Sequence, residues 1–120
     1  MFEINADELV DLNHMICEKY QSPFGIREHN LLHSIPQGVN QTIFGEDAYP
    51  TLQDKVAFVV SSIAKNHIFI DANKRTAVLT YFALCKKYAL PAKADNAMFT
   101  IVQKIATTSF DIEKAKALLF

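Results

Sequence analysis

Apolar residues recur every three or four positions along most of the chain, and this helical spacing constrains the fold more than any other feature. Only three glycines and four prolines interrupt the 120 residues, and the alternation that is typical of strands is almost absent. Half of the residues are hydrophobic, which is enough for a packed core. The pattern predicts an all-α fold, a compact bundle of about five to seven helices.

The first helix is expected to begin after Asn5 and to run to about Tyr20. Asn5 is a good N-cap, and Glu8 stands where a capping-box partner belongs. The apolar stripe of this helix is predicted to consist of Leu9, Leu12, Ile16 and Tyr20. A second, short helix is predicted over residues 28–35 and is expected to end at Pro36 and Gly38.

Residues 39–50 are predicted to form a loop with a turn at Phe44 and Gly45, and such a loop is a candidate lid or substrate-contact segment. Thr51 is expected to cap the next helix, with Asp54 at its third position. That helix is apolar over most of its circumference, which indicates a central, buried element. Its apolar face comprises Val56, Val59, Val60 and Ile63. The β-branched valines leave a buried strand as the alternative, which the length and the cap of the segment disfavour.

Further apolar repeats after position 75 predict three more helices. These repeats are Ala77, Tyr81, Leu84 and Tyr88, then Met98, Ile101, Val102 and Ile105, and finally Ile112, Ala115, Leu118 and Leu119. The last helix is expected to be capped by Ser109 or Asp111. Because no internal repeat, low-complexity tract or linker interrupts the sequence, residues 1–120 are predicted to form a single domain.

The formal net charge of −1 argues against direct nucleic-acid binding and against binding to a membrane surface, since both need a basic face. No apolar run is long enough to span a membrane, and the N-terminus lacks the features of a signal peptide. Cys17 and Cys85 lie far apart in the sequence and are interpreted as small buried hydrophobes. These observations predict a cytoplasmic protein with reduced thiols.

Polar side chains of complementary chemistry are concentrated between two predicted helices, in residues 67–75. His67 can take a proton from a hydroxyl near neutral pH, and Asp71 offers the hard oxygen ligands that Mg²⁺ prefers. Each residue alone has a simpler structural explanation. An isolated histidine is more often a helix-end or core residue, and an aspartate before a helix is usually an N-cap.

The same segment contains the parts of a phosphate site. The first backbone N–H groups of a helix are unpaired and attract phosphate, and Asp71-Ala72-Asn73 is expected to open such a helix. Lys74 and Arg75 add positive charge at the same end, and Lys65 can join this cluster. Separately, Asn73 can serve as an N-cap and the cations as ordinary surface charges. Their joint occurrence beside a base and a metal ligand favours a site for phosphoryl-type transfer.

Residues 67–75 resemble the signature of the Fic/Doc family, His-x-Phe-x-(Asp/Glu)-(Ala/Gly)-Asn-(Gly/Lys)-Arg. Every fixed position of that signature is met, by His67, Phe69, Asp71, Ala72, Asn73, Lys74 and Arg75. The segments Gly25–Arg27 and 44–52 are similar to the death-on-curing (Doc) branch, so the resemblance covers most of the chain. It implies a compact Fic-type helical bundle.

The resemblance also implies a role for each matching residue. His67 would be the general base that activates a Ser or Thr hydroxyl of a target protein, and Asp71 would hold Mg²⁺. Phe69 would anchor the active-site loop in the core. The nucleotide phosphates would be held by Asn73, Lys74 and Arg75. Lys65 stands where Doc-like members tend to have a basic residue, which implies a phosphate role for it as well.

Two departures from the AMP-transferring members imply which phosphate group is transferred. Those members have Gly where this chain has Lys74, and a second Arg where it has Val78. The Doc branch shares both features and is understood to transfer the terminal phosphate of ATP. The resemblance therefore implies a Doc-like protein kinase toxin that modifies a target such as elongation factor Tu and inhibits translation and growth.

A partner is implied as well, because Doc-type toxins are neutralised by an antitoxin whose helical segment covers the active-site groove. Two alternatives stay open on the sequence. One is an AMP transferase that uses the same site, and the other is a non-catalytic binding protein that retains the fold.

Overall fold

A computed structural model describes residues 2–120 of the chain. Within these residues there are six α-helices and one two-stranded antiparallel hairpin. The helices are α1 (Ala6–Tyr20), α2 (His29–Val39), α3 (Leu52–Lys65), α4 (Asn73–Lys87), α5 (Asp95–Thr107) and α6 (Ile112–Leu119). The strands are β1 (Thr42–Ile43) and β2 (Glu46–Asp47). The predicted all-α bundle of five to seven helices is confirmed.

Helix α3 lies at the centre of the bundle and packs against α2, α4, α5 and α6. Its N-terminus is a capping box, in which Thr51 Oγ1 accepts from the Asp54 N–H at 3.0 Å and the Asp54 carboxylate accepts from the Thr51 N–H at 3.1 Å. The predicted apolar face is fully buried, and it consists of Val56, Val59, Val60 and Ile63. The helix is therefore confirmed over the alternative of a buried strand, because packing on all sides outweighs the β preference of its valines.

The N-cap of α1 is the predicted one, since Asn5 Oδ1 accepts from the Glu8 N–H at 2.9 Å. The predicted apolar stripe is partly wrong. The residues of α1 that are buried are Leu9, Asn13 and Cys17, whereas Tyr20 is 48% exposed. The buried face therefore includes a polar side chain that apolar spacing could not select.

The expectation that the second helix ends at Pro36 is wrong, because α2 continues to Val39. Proline removes only one intrahelical hydrogen bond here, and burial of Ile35 and Val39 on one face of α2 favours continuation. A side chain at Gly38 would place its Cβ 2.8 Å from the Phe58 ring, so α2 packs closely on α3 at this point.

The predicted turn at Phe44 and Gly45 is confirmed, and it connects β1 and β2 in register Thr42 to Asp47. Both turn residues have positive φ, 52° and 82°, which matches the twist of a two-residue hairpin loop. The side chain of Phe44 is fully exposed at the tip.

The C-terminal helices are fastened to the bundle by buried polar groups. The hydroxyl of Tyr81 donates to the Leu119 carbonyl at 2.8 Å and accepts from the Lys93 N–H at 3.0 Å. Of the two predicted caps for α6, Asp111 is the one used, because its Oδ1 accepts from the Lys114 N–H at 3.1 Å.

Both cysteines, Cys17 and Cys85, are buried free thiols, as predicted. Burial raises the pKa of each thiol, so both stay protonated at neutral pH. Among the helices of residues 2–120, none combines the length and the apolar composition needed to cross a membrane.

Candidate active site

The segment between α3 and α4 is held by backbone pairing with the residues before α2. The carbonyl of Ile68 accepts from the N–H groups of Arg27 and Glu28 at 2.7 and 3.0 Å. The N–H of Ile70 donates to the Gly25 carbonyl at 3.0 Å. This short antiparallel bridge fixes the backbone on which the polar residues of positions 67–75 are placed.

Phe69 occupies the predicted position, with its ring 1% exposed in the core. The side chain of Asn73 encloses the backbone of this residue: Oδ1 accepts from the Phe69 N–H at 2.9 Å and Nδ2 donates to the Phe69 carbonyl at 3.0 Å. The amide of Asn73 is therefore engaged in ordering the loop. What Asn73 offers to an anion is its backbone N–H, at the first position of α4.

The N-terminus of α4 is open. Its N-cap residue is Ala72, which has the left-handed conformation (φ 62°) and provides no side-chain cap. Within residues 2–120, no group accepts a hydrogen bond from the N–H groups of Asn73, Lys74 or Arg75. Neither Asp71 nor Asn73 is the N-cap of α4, so the N-cap explanation for these two residues does not hold. An uncapped helix start attracts an anion through its free N–H groups and its dipole.

A cleft of about 360 Å³ contains the predicted site residues. It is lined by His67, Asp71, Asn73, Lys74 and Arg75, together with Ala64, Ile70, Ala72 and Phe99. His67 is exposed and has positive φ (48°), a conformation that costs energy for a residue with a side chain. The structure therefore brings a candidate base, a carboxylate, two cations and the free helix N-terminus to one cavity.

Lys65 lies outside this cleft. Its ammonium donates to the carbonyls of Ile105 and Ala106, both at 3.3 Å, and also to the carbonyl of Thr108. These carbonyls belong to the last turn of α5 and the residue after it, where a cation stabilises the helix C-terminus. The structure thus places Lys65 as a tether between α3 and α5.

Asn13 is a site-supporting residue that sequence reasoning missed. It is 1% exposed, and its Nδ2 donates to the Asp71 carbonyl at 3.1 Å and to Thr76 Oγ1 at 3.0 Å. Asn13 therefore connects α1 to the residue that precedes the open helix start. Its signal in the sequence was a polar residue four positions after Leu9 and four before Cys17, on a face that is otherwise apolar.

Tyr20 is the second missed residue. The guanidinium carbon of Arg75 lies 4.4 Å from the centroid of the Tyr20 ring, within the range of a cation–π interaction. Its place at the end of the predicted apolar stripe had suggested a core residue.

A magnesium ion fits the donors present only if the substrate contributes ligands. Within residues 2–120, no three His, Cys, Asp or Glu side chains converge. Asp71 presents an exposed carboxylate to the cleft, and its Oδ1 accepts from the Ala72 N–H at 2.7 Å, which orients the group. Mg²⁺ characteristically takes one or two carboxylates and completes its shell with waters and substrate phosphates, so a single carboxylate such as that of Asp71 would fit its needs.

The fold and the site together define a class of protein. Its members are small helical proteins in which the residues corresponding to His67–Arg75 connect two helices of the bundle and end at an uncapped helix N-terminus. The sequence profile of the Fic/DOC family matches residues 3–85, and the chain belongs to this family. A protein of Mycolicibacterium smegmatis (strain ATCC 700084 / mc(2)155) named Toxin Doc is 31% identical over 95 residues, which cover 77% of this chain and 73% of that protein. The family resemblance of the sequence is thereby confirmed.

Proposed function

We propose that this chain is a Doc-like toxin that transfers the terminal phosphate of ATP to a Ser or Thr hydroxyl of a target protein. The observation that carries the proposal is the shared cleft that is lined both by His67 and by the open N-terminus of α4. A base beside a phosphate site is the arrangement that phosphoryl transfer to a hydroxyl requires.

In the proposed reaction, the His67 imidazole accepts the proton of the target hydroxyl. The hydroxyl oxygen forms a bond to the terminal phosphorus of ATP, and the bond from that phosphorus to the oxygen bridging the β-phosphate breaks. ADP leaves, and the target carries a phosphate ester. His67 suits this role because it is exposed to an incoming protein chain while it lines the phosphate cleft.

The phosphates would be held by the free N–H groups at the start of α4 and by the side chains of Lys74 and Arg75. Asp71 would hold Mg²⁺, which when bound neutralises phosphate charge. The other residues act indirectly: Asn73 and Phe69 order the loop, and Asn13 holds the carbonyl of Asp71.

The identity of two side chains favours transfer of the terminal phosphate over transfer of AMP. Lys74 fills the position where a glycine would leave room for a phosphate group, and it lines the cleft. Val78, about one turn after Arg75 in α4, provides no positive charge that could bind a second phosphate group. Both features argue against the pose in which the α-phosphate lies next to the base.

The proposed partners follow from the family. The name of the relative, Toxin Doc, supports a role as a toxin with a separate antitoxin that covers the active-site groove. We further propose a cytoplasmic target similar to elongation factor Tu, since phosphorylation of a translation factor would stop growth.

The reaction is tested with ATP that is labelled on either the α- or the γ-phosphate, incubated with Mg²⁺, the protein and a cell lysate or elongation factor Tu. The proposal predicts label on a target protein from γ-labelled ATP only. Label from α-labelled ATP would mean AMP transfer. If His67→Ala inhibits growth as strongly as the unmodified chain, the protein acts by binding without catalysis.

A further inference from the structure

Two of the four histidines of the chain, His29 and His33, lie at the start of α2 and do not line the cleft that contains His67. Both side chains are exposed. Because they are four positions apart in a helix, they share one face, with their Cβ atoms about 5–6 Å from each other. The proposed reaction uses neither residue.

The fold does not use either of these imidazoles. Within residues 2–120, neither ring makes a side-chain hydrogen bond, an ion pair or an aromatic stack. His14 differs in this respect, because its ring stacks on Phe24 with 4.2 Å between the ring centroids. The nitrogens of His29 and His33 are therefore free to bind a metal ion, and a neutral imidazole is a good ligand for zinc, copper and nickel.

Two histidines four positions apart on a helix can bind one ion together, as the two histidines of zinc-binding helices do. Once the first imidazole holds the ion, binding of the second is intramolecular and gains from a high effective concentration. Within residues 2–120, no three His, Cys, Asp or Glu side chains converge. Water would therefore complete the coordination shell, and the ion would be exchangeable.

The charges next to the pair do not prevent a cation from binding. The positive end of the dipole of α2 disfavours a cation, but this effect is screened and falls off within one turn. Arg27 and Glu28 precede the pair, are both exposed and carry opposite charges, so they offset each other. The Glu28 carboxylate makes no capping hydrogen bond to α2 and stays available to attract the ion.

We propose that His29 and His33 chelate a divalent transition-metal ion that prefers imidazole, namely Cu²⁺, Ni²⁺ or Zn²⁺, and that this site is independent of the proposed reaction. Mg²⁺ and Ca²⁺ prefer oxygen ligands and do not compete for it. The N–H groups of Arg27 and Glu28, just before the pair, donate to the Ile68 carbonyl. An ion that stabilises the first turns of α2 therefore also stabilises this attachment of the loop that follows α3.

The test is a calorimetric titration of the protein with Ni²⁺ in the presence of excess Mg²⁺. His33→Ala should weaken Ni²⁺ binding at least about tenfold, because it removes the chelate. The combined variant His33→Ala and Ser34→His keeps four histidines but separates the pair by five positions, off the shared face, so it should bind as weakly. His14→Ala is the matched control, at another exposed histidine, and should bind Ni²⁺ as the unmodified protein does.

A second measurement is the melting temperature. Ni²⁺ should raise it in the unmodified protein and in His14→Ala but not in His33→Ala, because only an ion that binds the folded state stabilises it. Circular dichroism without metal checks that every variant is folded. The proposal is overturned if the unmodified protein does not bind Ni²⁺, or if either His33 variant binds it undiminished. Loss of binding in His67→Ala would also overturn it, since the ion would then lie in the candidate active site.

Discussion

The guanidinium of Arg75 lies over the ring of Tyr20, 4.4 Å from its centroid, and this pair joins the start of α4 to the end of α1. Arg75 lines the same cleft as His67, so the ring of Tyr20 contacts a cation of the candidate active site. Because an aromatic face attracts a cation without neutralising it, Arg75 keeps its full charge for a phosphate. Tyr20 is therefore a positioning residue for the anion site.

Substitution of Tyr20 is expected to weaken binding of the phosphates. A cation–π pair at an exposed site is worth about 0.5–1 kcal/mol, so Tyr20→Leu should weaken binding of Mg²⁺-triphosphate roughly two- to fivefold. Tyr20→Phe keeps the ring and should bind as the unmodified protein does. Calorimetric titration measures both, and a Tyr20→Leu variant with unchanged affinity would contradict this role.

Removal of the Asn73 side chain should disorder the loop that carries His67. Two hydrogen bonds to the Phe69 backbone are lost in Asn73→Ala, so the free energy of unfolding should fall by about 1–3 kcal/mol. Asn73→Asp keeps the acceptor but loses the donor, so its free energy of unfolding should lie between those of the unmodified protein and Asn73→Ala. Chemical denaturation gives these values, and equal stability of all three proteins would show that the amide does not order the loop.

The left-handed conformation of Ala72 predicts a stabilising substitution. At φ 62° the backbone of alanine is strained by about 1–2 kcal/mol relative to glycine. Relief of this strain should outweigh the destabilisation that comes from the greater freedom of glycine in the unfolded chain. Ala72→Gly should therefore raise the melting temperature by a few degrees. Ala83→Gly, within the regular part of α4, is the control and should lower it. A lower melting temperature for both variants would argue against strain at Ala72.

The ion pair between α3 and α6 predicts a dependence of stability on pH. Lys116 Nζ lies 2.8 Å from Asp54 Oδ1. Burial alone would raise the pKa of Asp54, but the hydrogen bonds from Lys116 and Thr51 outweigh it and lower that pKa overall. A carboxylate with a lowered folded-state pKa contributes stability above its unfolded pKa of about 3.9, and this contribution is lost as the pH falls through the folded value.

Lys116→Gln should accordingly reduce the free energy of unfolding at pH 7, and the difference from the unmodified protein should shrink as the pH falls below about 4. Lys114→Gln is the control, because Lys114 lies on the same helix and its side chain forms no ion pair within residues 2–120. A difference that stays constant from pH 7 to pH 3 would show that the Asp54 charge is not involved.

Local signals in the sequence were sufficient to predict the start of three helices. Asn5, Thr51 and Asp111 all cap the helices that follow them, because a cap needs only residues within one turn. The candidate site residues could be recognised in the same way, since the residues from His67 to Arg75 lie in one loop and the first turn of one helix. Family resemblance added their proposed roles.

Relationships between distant residues could not be predicted in this way. Asn13 contacts a carbonyl 58 positions further along the chain, and Lys65 binds carbonyls about 40 positions away. The position of Lys65, two residues before His67 in the sequence, suggested that its side chain lies in the cleft, but the side chain reaches the end of α5 instead. Continuation of α2 through Pro36 depends on tertiary burial, which local propensity does not contain.

The central claim is that His67 and a nucleotide held at the start of α4 carry out phosphate transfer to a protein. The most direct measurement is mass spectrometry of elongation factor Tu after incubation with ATP, Mg²⁺ and either the unmodified protein or His67→Ala. The account predicts the added mass of one phosphate on a single Ser or Thr with the unmodified protein and no addition with the variant. Addition of AMP, or the same product from both proteins, would contradict it.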